Sequence, residues 1–185
     1  SLEKQKKKKF LRQLSIYIGL IFLILSLLIS IKLDIFWNLL APGIGQEVKR
    51  EANNYFLIIL FCLPLTSITG VLTAYLNSKS KFKIAASGNV LFNIGIIIGL
   101  LINIPIFLRV TVGIIIGSLL RFFVQNNYAN LFKNIRQESL FDENLITKDF
   151  IKLFVFNFTF VTSIILVPTI GRAWASTINE GALSI

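Results

Sequence analysis

Residues 14–33 read LSIYIGLIFLILSLLISIKL and carry one charged side chain, Lys32, near their end. A helix of about 20 apolar residues spans the roughly 30 Å of hydrocarbon in a bilayer. Because backbone N–H and C=O groups find no water in lipid, we expect such a segment to be helical. The chain contains five apolar runs of this kind, which are Leu14–Leu33, Tyr55–Leu76, Ile84–Ile102, Ile106–Val124 and Phe150–Trp174. The predicted fold class is therefore an all-α polytopic transmembrane helix bundle.

The overall composition supports the membrane interpretation. The chain is 55% hydrophobic with 17 Phe, yet its net charge is +10. A soluble domain with this many apolar residues could not cover its surface with polar groups. A nucleic-acid-binding protein would spread its basic residues over a polar face, whereas here charged clusters alternate with long uncharged runs. Soluble and nucleic-acid-binding classes are therefore excluded.

The basic residues also predict which side of the membrane each connection faces. Thirteen of the 19 Lys and Arg residues fall in the N-terminal arm and in every second connection after it. The opposite side holds only Lys32, Lys49, Arg50 and Arg109. Since cytoplasmic loops carry the excess of Lys and Arg, the N-terminal arm is predicted to be cytoplasmic.

These boundaries divide the chain into four predicted parts. A cytoplasmic basic arm covers residues 1–13, and four transmembrane helices cover 14–125. Residues 126–149 form a cytoplasmic loop with a short interfacial helix around Tyr128–Ile135. Residues 150–185 form the fifth helix and an outer turn, with a kink or break expected at Pro168. Because the chain lacks Met and ends inside what reads as another apolar run, we expect it to be a piece of a longer protein.

Two arginines fall within the predicted spans. Arg121 lies near the inner end of the fourth run and Arg172 near the outer end of the fifth. A charged residue in a span survives by extending to the interface or by facing a wet cavity, and both interpretations stay open for Arg121. For Arg172 we favour a cavity, because Pro168 and the small residues beside it leave room. A guanidinium suits a phosphate or pyrophosphate because its fork holds two oxygens at once.

The sequence offers little for catalysis. There is no His and one Cys, Cys62, which excludes His- or Cys-ligated metal sites and internal disulfides. No Gly-rich phosphate loop ending in Lys-Ser/Thr is present, and no nucleophile lies beside a base. We therefore predict a non-enzyme without cofactor. Polar residues in the helices, Asn93 among them, are expected mainly to join helices, as are the Gly95-xxx-Gly99 and Gly113-xxx-Gly117 pairs.

A series of short motifs resembles the MviN/MurJ lipid II flippases, a family of the multidrug/oligosaccharidyl-lipid/polysaccharide exporter superfamily. The resemblance runs in order from about residue 16 to 185 with near-family spacing. The chain departs from it at Gly171, where many members carry an acidic or amide residue, and at Arg121, where Gln is common. The matching elements are Leu40-Ala41-Pro42-Gly43, Pro64, Gly70-Val71-Leu72, Leu76-Asn77, Lys81-Phe82, Asn89-Val90-Leu91-Phe92-Asn93, Gly117 to Gln125, Arg172-Ala173-Trp174-Ala175-Ser176 and Gly181-Ala182-Leu183-Ser184.

This resemblance implies helices three to seven of a fourteen-helix transporter in the bacterial cytoplasmic membrane. Such a protein flips a polyprenyl-pyrophosphate-linked peptidoglycan precursor, lipid II, by alternating access, driven by an ion gradient or the membrane potential. It implies Arg172 as the residue that binds pyrophosphate, with Arg121 and Asn93 as further substrate-binding residues. Implied partners are membrane lipid, the lipid-linked saccharide and proteins of cell-wall synthesis.

Three alternatives stay open at this point. One is a flippase for another polyprenyl-linked oligosaccharide, of a capsule or an O-antigen. A second is a membrane-embedded glycosyltransferase or ligase, although the acidic residue and large outer loop typical of those enzymes are not visible in the sequence. A third is a purely structural membrane subunit, which would have no cavity and no reason to keep Arg172.

Overall fold

The computed structural model describes residues 2–40, 43, 45–132 and 147–175, and every regular element among them is an α-helix. This confirms the all-α prediction. The seven helices are α1 (Leu2–Ile31), α2 (Leu33–Leu40), α3 (Gln46–Leu60), α4 (Leu63–Ser78), α5 (Phe82–Leu101), α6 (Ile106–Ala129) and α7 (Lys148–Ala175).

The number of membrane-spanning segments matches the sequence. The helices α1, α5, α6 and α7 are each long and apolar enough to cross a bilayer. The pair α3 and α4 makes a fifth span if the two are counted as one bent segment. The many exposed Ile, Leu, Val and Phe side chains of these helices form the surface that lipid tails would contact. The chain is therefore a multi-pass membrane protein.

The second predicted span is broken, although its sequence reads as one run. The helix stops at Leu60, resumes at Leu63 and bends by 42° between the two parts. Pro64 lies in the first turn of α4, where its missing N–H cannot continue the hydrogen-bond ladder of α3. The break therefore lies immediately before the proline.

Other boundaries differ from the sequence-based ones. The basic arm is not separate from the first span, because α1 is continuous from Leu2. The fourth span continues to Ala129, so Tyr128 belongs to α6, and Asn130–Phe132 form a turn. The rest of the predicted interfacial helix lies outside the described residues. A break at Pro168 is wrong, since α7 runs through it to Ala175, as transmembrane helices can, and the alternative of a kink there stays a prediction.

The connection after α4 is a tight Schellman turn. Ser80 adopts the left-handed conformation, with φ 56°. Lys81 N–H donates to Leu76 O at 2.9 Å, and Ser80 N–H donates to Asn77 O at 2.9 Å. These two bonds satisfy carbonyls that the end of a helix otherwise leaves open. The polar stretch Asn77-Ser78-Lys79-Ser80 predicts a helix end at this place, and the structure confirms it.

The chain divides into two compact units, which are described separately. The first unit comprises residues 1–27 and 54–145, and the second comprises residues 28–53 and 146–185. In the first unit an apolar cluster joins α4, α5 and the end of α6, and Leu11 of α1 packs against it. The N-terminal end of α1 therefore lies at the same end of this unit as the Lys-rich α4–α5 connection. The cluster consists of Leu72, Leu76, Ala85, Ala129 and Leu131.

Helices α5 and α6 approach each other along their glycines. A Cβ at Gly95 would collide with the backbone of Gly117, and one at Gly99 would lie 2.5 Å from Gly113 N and from Arg109 O. No real Cβ makes such contacts, so only glycine fits at these positions. The prediction that the two Gly-xxx-Gly pairs allow close helix packing is confirmed.

We expect Gly95→Ala to destabilise the protein by roughly 1–3 kcal/mol, because two backbones must separate to admit one methyl group. The matched control is Gly70→Ala in α4, where a Cβ meets nothing within 4 Å. Thermal unfolding in detergent checks the pair. Equal melting temperatures for the two variants would contradict the close α5–α6 contact.

Candidate functional site

A polar cluster joins three helices of the first unit. Its centre is Gln125 of α6, which is fully buried. Gln125 Nε2 donates to Thr73 Oγ1 of α4 at 3.0 Å and to Ala85 O of α5 at 3.3 Å. Gly88 of α5 makes room for this side chain, because a Cβ there would collide with Gln125 Nε2. We refer to Thr73, Arg121 and Gln125 as the polar cluster.

Arg121 belongs to this cluster. Its Nη2 lies 3.4 Å from Thr73 Oγ1, and its Cγ lies 3.2 Å from the position of a Cβ at Gly88. One turn of helix separates Arg121 from Gln125, so both side chains leave α6 on the same face. Arg121 is thus half-buried against α4 and α5 instead of extending away from them.

The hydrogen bonds of the cluster leave part of Arg121 available. Thr73 Oγ1 donates its one hydrogen to Thr69 O at 2.8 Å and accepts from Gln125 and Arg121. A hydroxyl has one donor and two lone pairs, so Thr73 is then saturated. Arg121 Nε is buried and has no hydrogen-bond partner among the described residues. The guanidinium is therefore anchored through Nη2, and its role in binding stays a prediction.

Asn93, also predicted to bind substrate, lies apart from the polar cluster. It is five residues beyond Gly88 on α5, which is about 7.5 Å along the axis and about 140° around it. Asn93 is exposed, whereas Gly88, Gly95 and Gly99 on the α6 side of α5 are buried. The structure therefore does not bring Asn93 to Arg121, and its role in binding stays a prediction.

Arg172 lies in the last turn of α7, in the second unit. Its backbone is helical, and its side chain is outside the described residues. The preceding residue, Gly171, has open space where a Cβ would be, and the following residue, Ala173, is buried. The small neighbours expected around Arg172 are present, and its binding role stays a prediction.

Further polar contacts in the second unit were not predicted from the sequence. Trp37 Nε1 of α2 donates to Asn53 Oδ1 of α3 at 2.6 Å. Lys49 is 8% exposed, and its Nζ donates to Asn38 Oδ1 at 3.2 Å. These bonds tie α2 to the first half of α3. These partners depend on α2, a short helix that the apolar runs did not predict.

An open groove of about 580 Å³ lies at the end of α6 and contains neither Arg121 nor Asn93. Amide side chains and aromatic rings share its lining, which includes Phe123, Asn127, Tyr128 and Phe132. The groove is therefore distinct from the polar cluster.

Comparison with known proteins gives one match. The sequence model of the family described as Lipid II flippase MurJ matches residues 1–185, which is the whole chain. Neither the curated proteins nor the solved structures contain a match to this chain.

We expect Thr73→Val to destabilise the protein by about 1–3 kcal/mol, because it removes the acceptor of a buried amide and of a guanidinium. The matched control is Thr66→Val on the same helix, whose exposed hydroxyl donates only to Cys62 O, at 2.9 Å. Thermal unfolding in detergent is the measurement. If the two variants melt together, the polar cluster does not hold α4 to α6.

Proposed function

Because the chain belongs to the family of the lipid II flippase MurJ, we propose that it is part of a transporter that moves lipid II across the bacterial cytoplasmic membrane. The family match over the whole chain carries this proposal. The multi-pass helical architecture supports it, since a flippase must enclose a polar headgroup within the membrane. The alternative within transport is a flippase for another polyprenyl-linked oligosaccharide, of a capsule or an O-antigen.

The proposed orientation places the N-terminal end of α1 and the α4–α5 connection in the cytoplasm. Lys6 to Lys9 and Lys79, Lys81 and Lys83 belong to these two segments. Lysines on this side are favoured by the positive-inside rule. On this topology the polar cluster lies toward the cytoplasmic side and Arg172 toward the outer side.

The arginines would bind the pyrophosphate of the substrate. Arg172 is the main candidate, with Arg121 and Asn93 in supporting roles. Arg121 suits an anion because a guanidinium carries five N–H donors, and its one described hydrogen bond uses only Nη2. In a site with little water, a charge-assisted bond of this kind is stronger than a neutral one. The drive would come from an ion gradient or the membrane potential, and the reaction is transport without covalent chemistry.

We expect Arg172→Ala to lower the flipping rate about 10–100-fold, as the loss of a charged hydrogen bond worth roughly 1.5–3 kcal/mol implies. Arg172→Lys should fall in between, because it keeps the charge and loses the fork. Lys152→Ala is the matched control, since it removes an exposed charge at the opposite end of α7. The assay reconstitutes the full-length protein in liposomes and follows the exposure of lipid II on the far leaflet.

Two results would contradict this assignment. Full activity of Arg172→Ala, together with tolerance of Arg172→Glu, would remove the pyrophosphate role. If a capsule or O-antigen precursor is flipped faster than lipid II in the same liposomes, that precursor, and not lipid II, is the substrate.

A further inference from the structure

The break between α3 and α4 leaves the backbone carbonyl of Leu60 without its helical partner. In an α-helix the carbonyl of residue 60 accepts from the N–H of residue 64. That residue is Pro64, which has no N–H. Leu60 is buried, at 4% exposure, so water does not replace the missing donor. A carbonyl in this position needs a donor from another element.

The missing donor comes from α1. Ser26 Oγ lies 2.8 Å from Leu60 O and 2.7 Å from Phe22 O of its own helix. Ser26 is fully buried, and it lies in the apolar run of α1 that is predicted to span the membrane. A serine in a transmembrane helix can satisfy its hydroxyl on its own backbone, as Ser15 does on Leu11 O at 2.8 Å. Ser26 extends this pattern to a second helix through its contact with Leu60 O.

The neighbouring contacts bring α1 to the break. A Cβ at Gly19 would lie 3.1 Å from Ile68 Cδ1 of α4, so the two helices already touch there. Seven residues, or about two turns, separate Gly19 from Ser26, which places both on the same face of α1. This face therefore contacts α4 at Gly19 and the end of α3 at Ser26, one contact on either side of the bend.

We propose that Phe61–Cys62 is a hinge of this span and that the Ser26 hydroxyl is its latch. The bond to Leu60 O holds the 42° bend. When the bond opens, the hydroxyl returns to Phe22 O, its alternative acceptor, and the polar hydrogen stays satisfied within lipid. The two acceptors make this exchange low in cost, which suits a contact that opens and closes. The hinge is a property of the fold and stands independently of the substrate.

Pairs of spin labels on either side of the hinge test the proposal in the full-length protein. Asn54 of α3 and Asn77 of α4 are both exposed and are suitable label sites, with Cys62→Ala and any other cysteine replaced. From the helix rise and the 42° bend, straightening the span would lengthen the distance between these positions by about 2 Å. The measurement is the distance distribution by pulsed electron paramagnetic resonance in nanodiscs.

We expect Ser26→Ala to broaden the distribution toward longer distances, and Ser26→Thr, which keeps the hydroxyl, to restore it. Ser15→Ala is the matched control, because Ser15 is equally buried on the same helix but bonds only within it. Pro64→Ala restores the N–H donor, so it should lengthen the mean distance and remove the effect of Ser26→Ala in the double variant.

Two outcomes would overturn the latch. One is a Ser26→Ala distribution that matches those of the wild type and Ser15→Ala. The other is an effect of Ser26→Ala that persists unchanged in the Pro64→Ala background, which would show that Leu60 O is not the partner that matters. Thermal unfolding of each variant separates a change in bend from a loss of folding.

Discussion

A peptide group within lipid has no water to bond, and this constraint decides where each helix of the chain can begin, bend or end. The connections meet it in different ways. After α4 the Schellman turn at Ser80 satisfies the open carbonyls locally. After α6 the left-handed Asn130 donates its N–H to Asn126 O at 2.8 Å. The break before Pro64 lies within a span, so its open carbonyl takes a donor from another helix.

The same constraint explains how polar side chains are used inside the first unit. Glycines let α5 and α6 approach until their backbones touch, which leaves no space for water between them. At one end of this contact Gly88 admits Gln125, whose amide reaches both α4 and α5. Close packing and the polar cluster are therefore one arrangement, because a Cβ at Gly88 would remove the space that Gln125 occupies.

The sequence predicted the parts of this fold that depend on local composition. The positions of the spans follow from the lengths of the apolar runs, and the helix end at Asn77–Ser80 follows from the polar residues there. Membership of the family also followed from the order of its motifs, and the match to residues 1–185 confirms it.

The tertiary partners could not be predicted in the same way. The sequence predicts that polar residues within the helices, including Thr66, Ser67 and Ser163, join helices, but each of these hydroxyls donates to a carbonyl three or four residues earlier in the chain. Ser26, Thr73 and Gln125 join helices instead, because the register of packing brings each one to a neighbour. The sequence alone does not distinguish a polar residue that bonds within its own helix from one that bonds to a neighbouring helix. The one local signal was the spacing of Arg121 and Gln125, four residues apart on one face of α6.

The position of Arg121 follows from these constraints and bears on how such a chain could act. Thr73 is saturated by its bonds with Thr69, Gln125 and Arg121 Nη2, and Arg121 Nε is left without a partner among the described residues. Leaving a buried donor open is unfavourable in an apolar setting unless an anion or water reaches it in some state. The polar cluster fixes the guanidinium against α4, α5 and α6, which are the most closely packed helices of the unit. An anion that binds to Arg121 would meet a guanidinium already held in position. The proposed hinge at Phe61–Cys62 lies in a different span, the one formed by α3 and α4.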